Sequence, residues 1–152
     1  MFQHLNKIIL MAIVLAFTGC GTTRPTFNGN WTAARCADST CAGALDYNFT
    51  VQISETVDSI SVGLKSIAPS DDSATASTYH VDKFSDVELV GSRSWSEGSM
   101  GFSMDINVSI LLRTVGDNAR LRMTTIMSGM PEYASPSGGK DATQVAWFTL
   151  KR

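Results

Sequence analysis

Histidine is almost missing from this chain. Only His4 and His80 occur in 152 residues, and His80 alone lies beyond the first apolar stretch. Any Ser-His-Asp arrangement would have to use that one imidazole, with Asp82 two residues on along the same strand face as its orienting partner. A polar pair on a wet strand face accounts for the two residues more simply, and the sequence reads as non-enzymatic. Cysteine is scarce as well, at three residues, so a structural zinc site lacks donors. The four residues between Cys36 and Cys41 do not make the Cys-x-x-C of redox enzymes. Basic residues show no excess, with twelve Lys and Arg against fourteen Asp and Glu, which excludes the basic stripe of a nucleic-acid binder. No glycine-rich phosphate cradle is present, and no cofactor is implied. The longest apolar run, Ile8 to Phe17, is too short for a helix crossing a bilayer core of roughly 30 Å.

That run has the layout of an export signal. His4 and Lys7 precede it, and the small residues Thr18 and Gly19 follow it, just before Cys20. Phe17-Thr18-Gly19-Cys20 resembles the lipobox of bacterial lipoproteins, although Phe17 stands where Leu is usual. The resemblance implies cleavage after residue 19 and a diacylglyceryl group on the Cys20 thiol. Acyl chains contribute about 0.8 kcal/mol per buried methylene, so two or three of them anchor a protein for good. By similarity to Gram-negative lipoproteins, Gly21 in place of Asp after the cysteine implies the outer membrane, with the domain in the periplasm or at the cell surface.

On this reading residues 1–19 are a signal, 20–26 are the lipidated cysteine and a polar tether containing Pro25, and 27–152 form one domain. The mature chain of 133 residues carries eleven basic and fourteen acidic side chains, a net charge of −3. Without a polybasic cluster, membrane attachment rests on Cys20 alone. Cys36 and Cys41 remain as an even pair in an oxidising compartment. A disulfide between them would pin the turn Ala37-Asp38-Ser39-Thr40 and stabilise by about 2 kcal/mol.

The mature sequence is a series of alternating segments broken by Gly, Ser, Asp and Pro. In Asp46 to Ser54, the side chains Tyr47, Phe49, Val51 and Ile53 alternate with polar ones, as in a strand with one wet face. Ser59 to Lys65, with Ile60, Val62 and Leu64 on one side, completes a hairpin across Glu55-Thr56-Val57-Asp58. Thr78 to Phe84 and Val87 to Val90 are weaker strands. Phe102 to Arg113 and Ala119 to Met127 form a second hairpin, and a two-residue loop puts both apolar faces on the same side of the sheet. With Asn30 to Cys36 first and Gln144 to Arg152 last, about eight strands follow one another without a helix. The expected class is all-β: an antiparallel up-and-down meander closed, or nearly closed, into a small barrel, which removes exposed edges.

Both ends of the domain resemble the lipocalin and calycin barrels. Phe27-Asn28-Gly29-Asn30-Trp31 is similar to their opening Gly-x-Trp, and Trp147 to Arg152 is similar to the last strand of short bacterial members. The resemblance implies that Trp31 closes one end of the barrel under a late basic residue, Arg152 or Lys151, through a cation–π contact. It also implies a binding module for a small apolar or amphipathic ligand. The alternative is a packed barrel that contacts an envelope protein through its loops at Pro69 to Ser77 and Met130 to Thr143. Five of the seven methionines lie between Met100 and Met130. Thioethers in an oxidising envelope can bind Cu(I), but their apolar-face positions read as core filling, and no metal site is expected. Asp46-Tyr47-Asn48-Phe49-Thr50 and Asp105-Ile106-Asn107-Val108-Ser109 resemble an extended bacterial glycosylation sequon; both asparagines are expected within strands, on the wet face.

Overall fold

A computed structural model describes residues 24–67, 75–99, 102–129 and 141–152. The stretch expected to be an export signal, Cys20, Met100, Met130 and most of the two long expected loops therefore lie outside the described residues. Eight strands are present: β1 (Gly29–Cys36), β2 (Phe49–Glu55), β3 (Ser59–Ser66), β4 (Thr75–Phe84), β5 (Glu88–Ser99), β6 (Phe102–Val115), β7 (Asn118–Ser128) and β8 (Asp141–Lys151). Each pairs antiparallel with the next, and β8 returns to β1, so the meander is a closed barrel. The all-β class, the strand number and the closure expected from sequence all hold. Among the described residues there is no helix.

Closure gives each strand a bore side and a wall side. The β6–β7 register pairs Leu112 with Leu121, Ile110 with Met123 and Ile106 with Met127, which sends both apolar sets inward. The turn is Gly116-Asp117, between paired Val115 and Asn118. Gly116 sits at φ 59°, as the first central position of a tight two-residue hairpin loop requires. The β2–β3 register pairs Val51 with Leu64 and Ile53 with Val62 in the same way.

Because strands alternate in direction, the connections alternate between the two ends of the barrel. One end holds the short turns 56–58, 85–87 and 116–117, the incoming chain at Arg24 and the C-terminus. The other holds the segment 37–48 and the strand ends Ser66, Thr75, Ser99, Phe102, Ser128 and Asp141. Near the short-turn end the bore is solid. Phe27, Ile60, Leu89, Ile110, Leu112, Leu121 and Leu150 are completely or almost completely buried there, as a narrow eight-stranded barrel allows.

Four boundaries lie three or more residues from expectation, one of them the start of β8 at Asp141, inside the expected loop Met130 to Thr143. Strand β2 begins at Phe49, so Tyr47 is not a bore residue; its ring lies 3.7 Å from Lys151 Nζ, and Asn48 precedes the strand. Asn107 does lie within its strand, accepting a hydrogen bond from Ser94 Oγ at 2.6 Å. Strand β4 starts at Thr75, inside the expected loop, and β5 runs on to Ser99, nine residues beyond its expected end. Val81 and Lys83 are separated by a register shift, which places Asp82 in a bulge.

Gly91 is closely packed on the bore side of β5. A Cβ there would meet the His80 carbonyl oxygen at 3.1 Å, Tyr79 Cβ at 3.2 Å and Ile60 Cγ2 at 3.3 Å. The first is backbone and cannot swing aside. Gly91→Ala should therefore destabilise the fold by about 1–3 kcal/mol in urea unfolding. An unchanged midpoint would show that the β4–β5 backbone yields freely.

Candidate functional site

At the short-turn end the incoming chain is tied across the floor of the barrel. Arg24 Nη1 donates to the carbonyls of Thr56 and Val57 at 2.8 and 2.6 Å, and Nη2 lies 3.4 Å from Glu55 Oε2. The Phe27 amide donates to the other Glu55 oxygen, and Asn28 Oδ1 accepts from the Glu55 amide at 2.6 Å. Glu55 thus meets a segment some 28 residues earlier through an ion pair with Arg24 and hydrogen bonds with the Phe27 amide and Asn28 Oδ1, while Arg24 Nε and Nη2 have no hydrogen-bond partner among the described residues. Trp31 Nε1 donates to the Phe27 carbonyl at 2.8 Å in a buried bond. Arg152 lies over the Trp31 ring at 4.6 Å, while Lys151 packs on Tyr47 instead.

Cys36 and Cys41 are joined by a disulfide. The enclosed turn is held by Asp38 Oδ1, which accepts from the Thr40 hydroxyl at 2.6 Å and the Thr40 amide at 2.8 Å. These two bonds, the hydroxyl first, hold the Asp38 carboxyl below its ordinary value. Arg120 on β7 donates to the carbonyls of Ser39 and Thr40 at 3.5 and 3.1 Å, pinning the turn to the outer wall. That cover explains why Ala34 and Cys36, which face outward, are nevertheless buried.

The mouth at the opposite end is different. Phe49, Leu64, Met104, Met123, Met127 and Ala146 pack against the core but stay partly open. Phe49 meets Phe148 edge-on, with centroids 5.9 Å apart. The β5–β6 register pairs Arg93 with Val108, Trp95 with Ile106 and Glu97 with Met104, so these three polar or amphipathic side chains point into the bore. The Arg93 guanidinium stacks on Trp95 at 4.4 Å from the ring centroid. Below them lies Tyr79, only 2 % exposed. Among the described residues no carboxylate pairs with Arg93.

His80 and Asp82 are not brought together. His80 is exposed on the outer wall opposite Ser59 and Ser92, Asp82 sits in the bulge, and no bond joins them. Met104 and Met127 are diagonal neighbours in the bore and Met123 lies further in, each packed on apolar side chains. Among the described residues no group of three His, Cys, Asp or Glu side chains is placed to hold a metal ion. Arg93 and Trp95 escaped the sequence reading because the inward series Leu89, Gly91, Arg93, Trp95, Glu97 is not apolar. The usable signal was the serine at every outward position from Ser92 to Ser96. No protein-family model, curated protein or solved structure matches the chain.

Burial pushes the Tyr79 phenol above its ordinary value, while a bond to Ser77 and the nearby Arg93 charge pull more weakly the other way. The unfolded chain, with the lower tyrosine pKa, therefore ionises first. Stability from this group is complete below about pH 10 and is lost as pH rises through the folded value. Tyr79→Phe should flatten the alkaline fall in stability, measured by circular dichroism across that range. Identical alkaline slopes would mean that the phenol is not protected.

Proposed function

We propose that the protein is a lipid-anchored module of the bacterial envelope that holds the end of an amphipathic anion in the mouth of its barrel. The observation that carries this reading is Arg93, a cation that the register points into the mouth and that stacks on Trp95, with Glu97 further out on the same strand and Arg35 of β1 facing inward opposite Phe148. A guanidinium in low-dielectric surroundings favours a carboxylate, sulfate or phosphate, and its planar fork binds such groups in two-point fashion. The partly open Phe49, Leu64, Met104 and Met127 around it suit a short apolar body. Methionine adapts its shape and so accepts more than one ligand. Since the floor is filled by large side chains, the ligand would enter only the upper bore and would not be swallowed as in a deep calyx.

The anchor belongs to the same proposal and rests on the Phe17-Thr18-Gly19-Cys20 motif. A packed barrel acting on an envelope protein through its loops is favoured by one observation, the solid floor, and it is tested together with the first reading. The domain, residues 21–152, would be secreted to a bacterial periplasm and titrated with octanoate and dodecyl sulfate, following tryptophan fluorescence against a Trp95→Phe control. Arg93→Met should weaken binding by about tenfold to a hundredfold, the worth of a charge-assisted hydrogen bond. Absence of any saturable response in the wild-type domain would discard the mouth as a ligand site and leave the loops as the working surface.

A further inference from the structure

The end of the barrel that receives the chain also presents apolar side chains outward, four of the eight large exposed ones among the described residues; Ile67, Trp95, Ile126 and Val145 lie toward the mouth. Val57, at the tip of the first short turn, is 83 % exposed. Phe84 and Val87 flank the second turn at 47 % and 48 %, and Val115 flanks the third at 43 %. These residues do not sit on loose loops. The Asp58 carbonyl accepts from the Val81 amide at 2.9 Å, and the Val87 carbonyl accepts from the Thr114 amide at 2.8 Å, so the first two turns are each tied to the next strand pair. The result is a firm rim with four exposed apolar side chains.

The position of Arg24 makes that rim matter. Its guanidinium is fixed to the carbonyls of Thr56 and Val57, inside the first turn. Between Cys20 and Arg24 lie only Gly21, Thr22 and Thr23. However these residues are arranged, four residue spans reach at most about 14 Å. A lipid on Cys20 therefore holds Val57 close to the headgroups, with no length of tether to let the barrel swing away.

We infer that the barrel stands end-on upon the bilayer, with Val57, Phe84, Val87 and Val115 resting in the headgroup layer and the mouth facing away from the membrane. The inference rests on the anchoring of Cys20 proposed above. The contact is shallow and largely apolar: Asp58, Asp86 and Asp117 lie in the same turns and oppose any attraction by anionic lipid, while Arg24 is occupied by Glu55 and Arg113 by Glu88. Such a posture leaves the Arg93–Trp95 mouth open to ligands arriving from the aqueous compartment.

The test uses the full chain, purified from membranes and returned to phosphatidylethanolamine–phosphatidylglycerol vesicles. Single cysteines would be placed at Val57→Cys and Val115→Cys on the rim, Ser96→Cys near the mouth, and Val145→Cys on the exposed wall. With Cys20 acylated and Cys36 bonded to Cys41, only the new thiol takes an environment-sensitive dye. The bilayer should blue-shift the dye at 57 and 115 and spin-labelled lipid should quench it there, with 96 and 145 unaffected. Strongest quenching at 145 would mean a barrel lying on its side, strongest quenching at 96 an inverted one, and no quenching anywhere a barrel held clear; each overturns the inference. The intact mass separates the two proposals. Acylated protein with the wrong pattern sinks only the posture, whereas protein without acyl chains sinks the anchor and the posture with it.

Discussion

The pairing of β1 with β8, from Thr32 opposite Lys151 to Cys36 opposite Trp147, turns a sheet with two free edges into a ring. Once the ring is closed, every side chain faces either the bore or the wall, and a slip of one residue anywhere would reverse the two sets. An eight-stranded bore is narrow enough for side chains to fill, so the inward residues decide whether the barrel is a solid or a vessel. Large aliphatic and aromatic groups are fully buried at the short-turn end, whereas at the other Phe49, Leu64 and the methionines stay partly open beside Arg93, Trp95 and Glu97.

Two pieces of chain outside the ladder protect that closure. The segment from Arg24 to Asn28 crosses the floor, with Phe27 buried and Glu55 receiving its polar groups. Breaking such an ion pair from one side leaves a charge without a partner in a poorly solvated place, which costs more than the pair itself contributes. The disulfide turn, held by Arg120, shields the outer face of β1 where Ala34 and Cys36 offer little bulk of their own. Both devices join residues distant in sequence, and both act on β1, the strand that must be pinned on each side for the ring to hold.

Legibility in the sequence followed the chemistry of the inward positions. Where these were Val, Ile, Leu, Phe or Met, as in β2, β3, β6 and β7, alternation gave the faces, and the two-residue loop gave the register. Where they were Gly91, Arg93, Trp95 and Glu97, the same period of two was present but carried no hydrophobic contrast, and the upper half of β5 was lost. Tyr47 misled for the opposite reason: the alternation begins before the chain has entered the sheet at Phe49. Trp31 and Arg152 were singled out by resemblance to known barrels, which supplied a long-range pairing that local periodicity does not contain. Arg24 and Glu55 lie 31 residues apart, and nothing local marks them as partners.

The central claim is a barrel solid at its floor and receptive only at its mouth. Methyl-labelled NMR of the domain during an octanoate titration tests it most directly. The account predicts shifts at the methyls of Met104, Met123 and Met127, and none at Ile60, Leu112 and Leu121. Comparable shifts at both ends would mean a bore that opens through its length, and shifts confined to the floor methyls would contradict the account outright.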